Sequence, residues 1–370
     1  MVQRIRRQFD VQPKRILIVL PNWVGDVVMA TPVLRALRDR FAGASICYLA
    51  RPMMNDLLAG SGWADEVVNW EPKGRDRRGG TMIGLAARLR RRGFDWAVLL
   101  TNSFRSALLV RLAGIRRRIG YDRDARRLLL TDRLGVERVD GKVAVTRMVD
   151  YYGRLAEHLG CDRPGDRLEL FTDRGDDRVI DERLAGLGID AGPGPGGLVV
   201  ISPGASYGVA KLWLPERFAA VADHLIDRHG VAVVISCAPG EEPIARRIAE
   251  LCDKRVHVLD HPVTTLGQFK SLIRRCDLLI NNDTGPRHVA KAFGVAVVTV
   301  FGPTHQGWTD TDYPLERKVA VAVDCGPCQK KVCPIQGPTR LCCMTGVTVE
   351  MVTAAAEELL AKRPATVLGR

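Results

Sequence analysis

"CDLLINNDTGPRHVAKAFG", residues 276–294, is the stretch on which the fold reading turns. An apolar run ending at Ile280 breaks into Asn-Asn-Asp-Thr-Gly-Pro, then restarts with helical spacing and carries His288 one turn in. The order is buried strand, polar turn, helix N-terminus. Asp283 or Thr284 is placed to cap that helix, Pro286 suits its first turn, and Gly285 lets the backbone approach closely. Two readings stay open at this point. One is a plain capped helix in an α/β domain. The other is an anion cradle, in which free N–H groups and the helix dipole hold a phosphate.

The same alternation extends in both directions. "RILIVL" (15–20) leads into a helical pattern over 27–41, "SICYLA" (45–50) into another, and "WAVLL" (96–100) into 103–114. A further helical pattern covers 146–160. "GIDAGPGPGG" (188–197) then reads as a linker, and alternation resumes at "LVVISPG" (198–204). The expected organisation is a first domain over 1–187, a Gly/Pro-rich linker over 188–197, a second domain over 198–347, and a closing helix and tail over 348–370. Two consecutive β-α-β runs predict two doubly wound α/β domains facing a cleft, with ligands at the carboxyl ends of the strands.

Charge is distributed unevenly. The first 150 residues carry 29 Lys and Arg against 15 Asp and Glu, while the remainder is close to neutral, within a total of +13. Basic clusters at 73–80, 88–94 and 114–127 suit a solvated face, an anionic macromolecule or an anionic membrane surface. Few aromatics accompany them, which argues against a single-strand nucleic-acid platform. No apolar run reaches the ~18 residues of a membrane span, and the apolar segment 16–20 is too short for a signal peptide. A cytoplasmic location is expected. Five of the ten cysteines fall at Cys325, Cys328, Cys333, Cys342 and Cys343. Their spacing matches no standard zinc signature, so reduced structural thiols come first. A structural metal on Cys325, Cys328, Cys333 and Cys342 is the alternative.

Three loops of the second half end strands and begin helices. "SPGASYGVAKLW" (202–213) offers Ser206, Tyr207 and Lys211; "SCAPGEEP" (236–243) offers Glu241; the opening stretch offers Asp283, Thr284, Gly285 and His288. A small-residue loop with a Lys beside a helix start suits a diphosphate, and a nearby carboxylate suits a sugar hydroxyl. Neither the dinucleotide G-x-G-x-x-G nor the P-loop pattern occupies these strand-to-helix loops. In the first half, "PNWVGDVVMATP" (21–32) places Asp26 at a helix start, as a plain N-cap or as a general base.

Taken together, "RILIVLPNWVGDVVMATPVLRALR", "TNSFRSALLVRLAGIRRRIGY", "SPGASYGVAKLW" and "NNDTGPRHVAKAFGVAVVTVFGPT" resemble glycosyltransferase family 9, the ADP-heptose:lipopolysaccharide heptosyltransferases. The resemblance implies a GT-B fold of two Rossmann-like domains, the first binding the acceptor and the second the nucleotide-sugar. It implies inverting heptose transfer from an ADP-sugar to an anionic lipopolysaccharide core, at the cytoplasmic face of the inner membrane, with no cofactor, no metal and no nucleic acid. Asp26 then matches the catalytic base, Lys211 the lysine on the donor diphosphate, and Glu241 the carboxylate on the nucleoside. Asp283, Thr284, Gly285 and His288 match the donor loop, with Ser206 and Tyr207 near the phosphates. Asn102, Ser103, Arg105 and Arg123 fall on the acceptor side. Where members commonly read Lys-Arg-Trp-Pro, this chain reads Lys211-Leu212-Trp213-Leu214, which removes one possible anion contact. The competing readings are a GT-B-type nucleotide-sugar epimerase, which leaves the basic half unexplained, and a basic nucleic-acid-binding protein.

Overall fold

A computed structural model describes residues 12–71, 81–189 and 197–362. The basic cluster at 73–80, most of the Gly/Pro-rich linker and the tail beyond 362 lie outside the described residues. The chain forms two compact units, one of Met1–Glu169 with Gly307–Thr311, the other of Leu170–Gln306 with Asp312–Arg370.

The first unit holds strands β1 (Arg15–Val19), β2 (Ser45–Ala50), β3 (Glu66–Asn69), β4 (Trp96–Leu99), β5 (Arg117–Tyr121) and β6 (Asp132–Leu134). They form one parallel sheet in the order β3-β2-β1-β4-β5-β6. A small antiparallel hairpin, β7 (Arg138–Val139) and β8 (Lys142–Val143), follows. Helices α1 (Val24–Met29), α2 (Thr31–Arg40), α3 (Met53–Leu58), α4 (Met82–Arg91), α5 (Phe104–Leu112) and α6 (Met148–His158) alternate with these strands. Because crossover helices cover both faces, β1 reads as an almost unbroken apolar run rather than an alternating one. The single helix expected over 27–41 is two. Pro32 has no N–H to give the carbonyl of Val28, and the Thr31 hydroxyl takes that carbonyl instead at 2.7 Å.

The second unit begins with α7 (Arg174–Gly186), ahead of the expected linker. This helix packs on α10 (Leu266–Arg275), where Arg275 reaches Asp177 at 2.8 Å and Asp181 at 2.5 Å. Its sheet contains β9 (Leu198–Ser202), β10 (Ala232–Ser236), β11 (His257–Leu259), β12 (Leu278–Asn282), β13 (Ala296–Val300) and β14 (Glu316–Val319). The order is β11-β10-β9-β12-β13-β14, the arrangement of the first sheet again, and all pairs are parallel. Helices α8 (Pro215–His229), α9 (Glu242–Leu251), α11 (Gly285–Ala292), α12 (Cys342–Thr345) and α13 (Val349–Ala361) complete the unit. The closing helix α13 is part of its core, with Val352, Ala356 and Leu359 packed among Trp213, Phe218 and the strand side chains. Each sheet reverses its strand order at one place, between β1 and β4 and between β9 and β12. Ligands of such sheets bind beyond the carboxyl ends of the strands at that reversal.

Candidate functional site

In the second unit, the loops leaving β9 and β12 meet at the reversal. Lys211 ends a short 3-10 turn in the first loop and is only 8% exposed. Its Nζ donates to the Asp283 carbonyl at 2.8 Å and to Asp283 Oδ2 at 2.7 Å. The other carboxylate oxygen of Asp283 takes Arg287 Nη1 at 2.7 Å, and Thr304 Oγ1 donates to Oδ2 at 2.6 Å. Arg287, fully buried, also lies 2.9 Å from Glu316, which accepts Lys291 Nζ at 2.7 Å and Thr299 Oγ1 at 2.9 Å. The network joins three cations to two carboxylates. Burial pushes the Lys291 ammonium down to about 8, with Arg287 adding to the effect and Glu316 opposing it. His288, 2% exposed, has its pKa pushed well down by burial and the cations around it, and among the described residues its Nδ1 has no hydrogen-bond partner.

Helix α11 starts at the mouth of this network, and no side chain caps it. Thr284 is the N-cap residue, yet its hydroxyl donates back to the Asn282 carbonyl at 3.2 Å, and the Asp283 carboxylate is spent on Lys211 and Arg287. The capped-helix reading of the opening stretch therefore fails. A helix start without a side-chain cap keeps N–H groups for an anion. Beside it, Glu241 accepts the Ala238 N–H at 3.1 Å and lies against Gly204, where no Cβ would fit. Burial raises its pKa, against hydrogen bonds from the Ala238 and Ala205 backbone. Tyr207 donates to the Gln329 carbonyl at 2.9 Å, and Ser206 is exposed. Lys211, Tyr207, Asp283 and the α11 start are thus brought together, with Glu241 against their loop.

In the first unit, the loops after β1, β2, β3 and β4 line a cavity of about 220 Å³ with Asn22, Arg51, Trp70, Thr101, Ser103 and Arg105 among its walls. Arg51 Nη1 donates to the Asn22 carbonyl at 3.4 Å, and the Arg105 guanidinium lies 6.0 Å from the Trp70 ring centre. Ser103 caps α5 through Ser106. Asn102 and Arg123 belong to a neighbouring cluster rather than to this cavity. Asn102 Oδ1 accepts Tyr151 at 2.8 Å and Arg126 at 3.2 Å, and Arg123 hydrogen-bonds Tyr151. Arg126 is completely buried and also donates to the Thr101 and Tyr121 carbonyls, so it braces the loop after β4. Sequence reasoning missed it; inside a run of arginines, nothing marks the one that turns inward. Asp26 stands in the first turn of α1 and is half-buried, but the N-cap is Trp23, so the plain-cap reading of Asp26 does not hold. Its charge is felt by the buried hydroxyl of Tyr152.

The cysteines are all free, and Cys325 and Cys342 lie with sulfurs 3.9 Å apart. Burial raises the Cys343 thiol to about 11, and the other four thiols of the segment add to it. Among the described residues, no three His, Cys, Asp or Glu side chains are arranged to hold a metal ion.

Comparison with known proteins supplies the context. The family model described as glycosyltransferase family 9 (heptosyltransferase) matches residues 82–338. Lipopolysaccharide heptosyltransferase 2 of Escherichia coli K12 is 30% identical over 320 residues, covering 83% of this chain and 87% of that protein. The solved structure of E. coli ADP-heptose lps heptosyltransferase II aligns with a TM-score of 0.74 at 25% identity, over 94% of this chain and 99% of its own. A family 9 glycosyl transferase from Veillonella parvula shares the fold, with a TM-score of 0.77 at 23% identity over 95% and 98% of the two chains. A family match across most of the sequence, on two parallel-sheet units of GT-B type, means that this chain belongs to glycosyltransferase family 9, the heptosyltransferases.

Proposed function

We propose that the protein transfers heptose from ADP-heptose to the inner core of lipopolysaccharide, with inversion at the anomeric carbon. The observation that carries this reading is Lys211 held on Asp283 beside the uncapped start of α11, at the strand reversal of the second sheet. An ammonium has three N–H donors. Two serve Asp283, and the third serves a phosphate oxygen of the donor. Glu241, against the same loop, takes a ribose hydroxyl. The cavity of the first unit, with Arg51 and Arg105, receives the anionic acceptor.

In the reaction, the acceptor hydroxyl attacks the anomeric carbon while Asp26 takes its proton, and the bond from that carbon to the diphosphate oxygen breaks. ADP leaves with the electron pair. The transition state has oxocarbenium character, and the diphosphate is acidic enough to depart unprotonated. Its growing charge meets Lys211 and the N–H groups of α11, each good donor contributing about 3–4 kcal/mol. This scheme calls on no metal. The protein works from the cytoplasm on a membrane-held acceptor, as a peripheral protein; among the described residues no helix is long and apolar enough to cross a membrane.

The test is product analysis with ADP-heptose in the presence and absence of a Kdo-containing lipid A core. ADP release is expected only with acceptor, which gains one heptose in mass. Asp26→Asn is expected to keep ADP affinity and lose about 10²-fold or more in turnover. Isomerisation of ADP-heptose without acceptor would establish the epimerase instead, and full turnover in the variant would remove Asp26 from the mechanism.

A further inference from the structure

The Cys-rich segment has no part in the scheme above, yet it lies on the donor loop. The Lys331 carbonyl accepts the Ala210 N–H at 3.1 Å, and Tyr207 donates to the Gln329 carbonyl at 2.9 Å. The Gln329 N–H bonds the Pro303 carbonyl at 2.8 Å, tying the segment also to the loop after β13. Contact is so close that Gly208 has no space for a Cβ against the Lys331 backbone. Farther along, Cys333 Sγ accepts the Leu341 N–H at 3.4 Å, and Cys325 and Cys342 lie together at 3.9 Å, so the two ends of the segment are brought together. Through this anchorage the Lys331 ammonium comes 5.4 Å from the Tyr207 ring centre, while that of Lys211 lies 4.9 Å from the same centre. A ring face attracts each cation. Two like charges held near one ring also repel each other, and a bound anion relieves that repulsion.

We infer that Lys331 is a second phosphate-binding lysine of the donor site, delivered to it by the Cys-rich segment. The inference rests on the donor assignment made above. Within it, Lys331 meets the terminal phosphate of the nucleoside diphosphate from the solvent side, and Lys211 meets it from the interior. The thiols gain a purpose in this arrangement, since they hold the loop that carries the lysine.

Calorimetric titration of the full chain with ADP and with AMP, on the wild type, Lys331→Met and Lys331→Arg, tests it. The side chain is exposed, so both variants are expected to fold. Lys331→Met is expected to weaken ADP at least fivefold, to leave AMP within twofold, and to be largely restored by Lys331→Arg. Equal ADP affinity in wild type and Lys331→Met overturns the inference and leaves the donor site standing. An equal loss on ADP and AMP also overturns it, because the effect is then not on the terminal phosphate. A wild-type chain that fails to bind ADP overturns the donor assignment, and the inference with it.

Discussion

Asp283 is buried between Lys211 and Arg287, and its carboxyl is held at about 2. Burial alone would raise it, but the two cations and the hydrogen bonds from Lys211 and Thr304 outweigh burial. A carboxyl depressed in the folded state stabilises the fold above its unfolded value, near 4, and that stability is lost as pH falls through about 2. Asp283→Asn is expected to destabilise the protein by about 3–5 kcal/mol, because it leaves the buried Lys211 without its carboxylate and Arg287 with Glu316 alone. The variant should also lose the part of the acid transition that belongs to pH 4 to 2. Urea titrations across that range check both points; an unchanged midpoint at neutral pH would mean that Lys211 finds another partner and that Glu316 suffices for Arg287. This residue was legible from sequence as a site candidate, but its role was not. Sequence spacing shows Arg287 one helical turn from Asp283, whereas Glu316, which anchors Arg287 and Lys291 from β14, lies 29 residues beyond Arg287 with no local sign of its task.

Helix α11 shows what an element can do that its residues cannot do singly. Its first turn has Gly285 and Pro286, no side-chain cap, and a strand aimed into it by five parallel pairs with β13. Gly285→Val is expected to abolish ADP binding while leaving the fold cooperative, since the branched side chain stands where a phosphate must reach the N–H groups. Capping alone predicts a loss of about 1 kcal/mol with binding intact. ADP titration alongside thermal melting separates the outcomes, and retained affinity would show that the helix start does not touch the nucleotide. Elements with apolar runs, β1, β2, β9, β10, β12 and β13, were readable because central parallel strands are buried on both faces. Strand β5 "RRIGY" and the edge strand β14 "ERKV" were not, since charged residues mask them and only the sheet identifies them. Helix α7, "RGDDRVIDERLAG", was missed for the same reason: its two buried apolar residues, Ile180 and Leu184, stand among charged ones that pair with α10.

For the molecule as a whole, the positive surplus of the first 150 residues bears on the proposed membrane-held acceptor. Each basic residue near an anionic surface contributes about 1 kcal/mol, screened beyond ~10 Å at 0.1 M salt. The protein is expected to sediment with phosphatidylglycerol-containing vesicles at low salt and to be released by raised salt; failure to bind at any salt would reduce the basic face to a solubilising one. The division of the chain bears on a different matter, namely how it can be dissected. The Gly/Pro-rich stretch invites a cut, but a fragment begun at residue 198 would leave α7 behind, stripping Arg274 and Arg275 of Asp177 and Asp181 and Lys270 of the Phe171 carbonyl. A fragment begun at residue 170 keeps every one of those bonds, so a laboratory cut is expected to leave a more stable fragment when made upstream of the Gly/Pro-rich stretch.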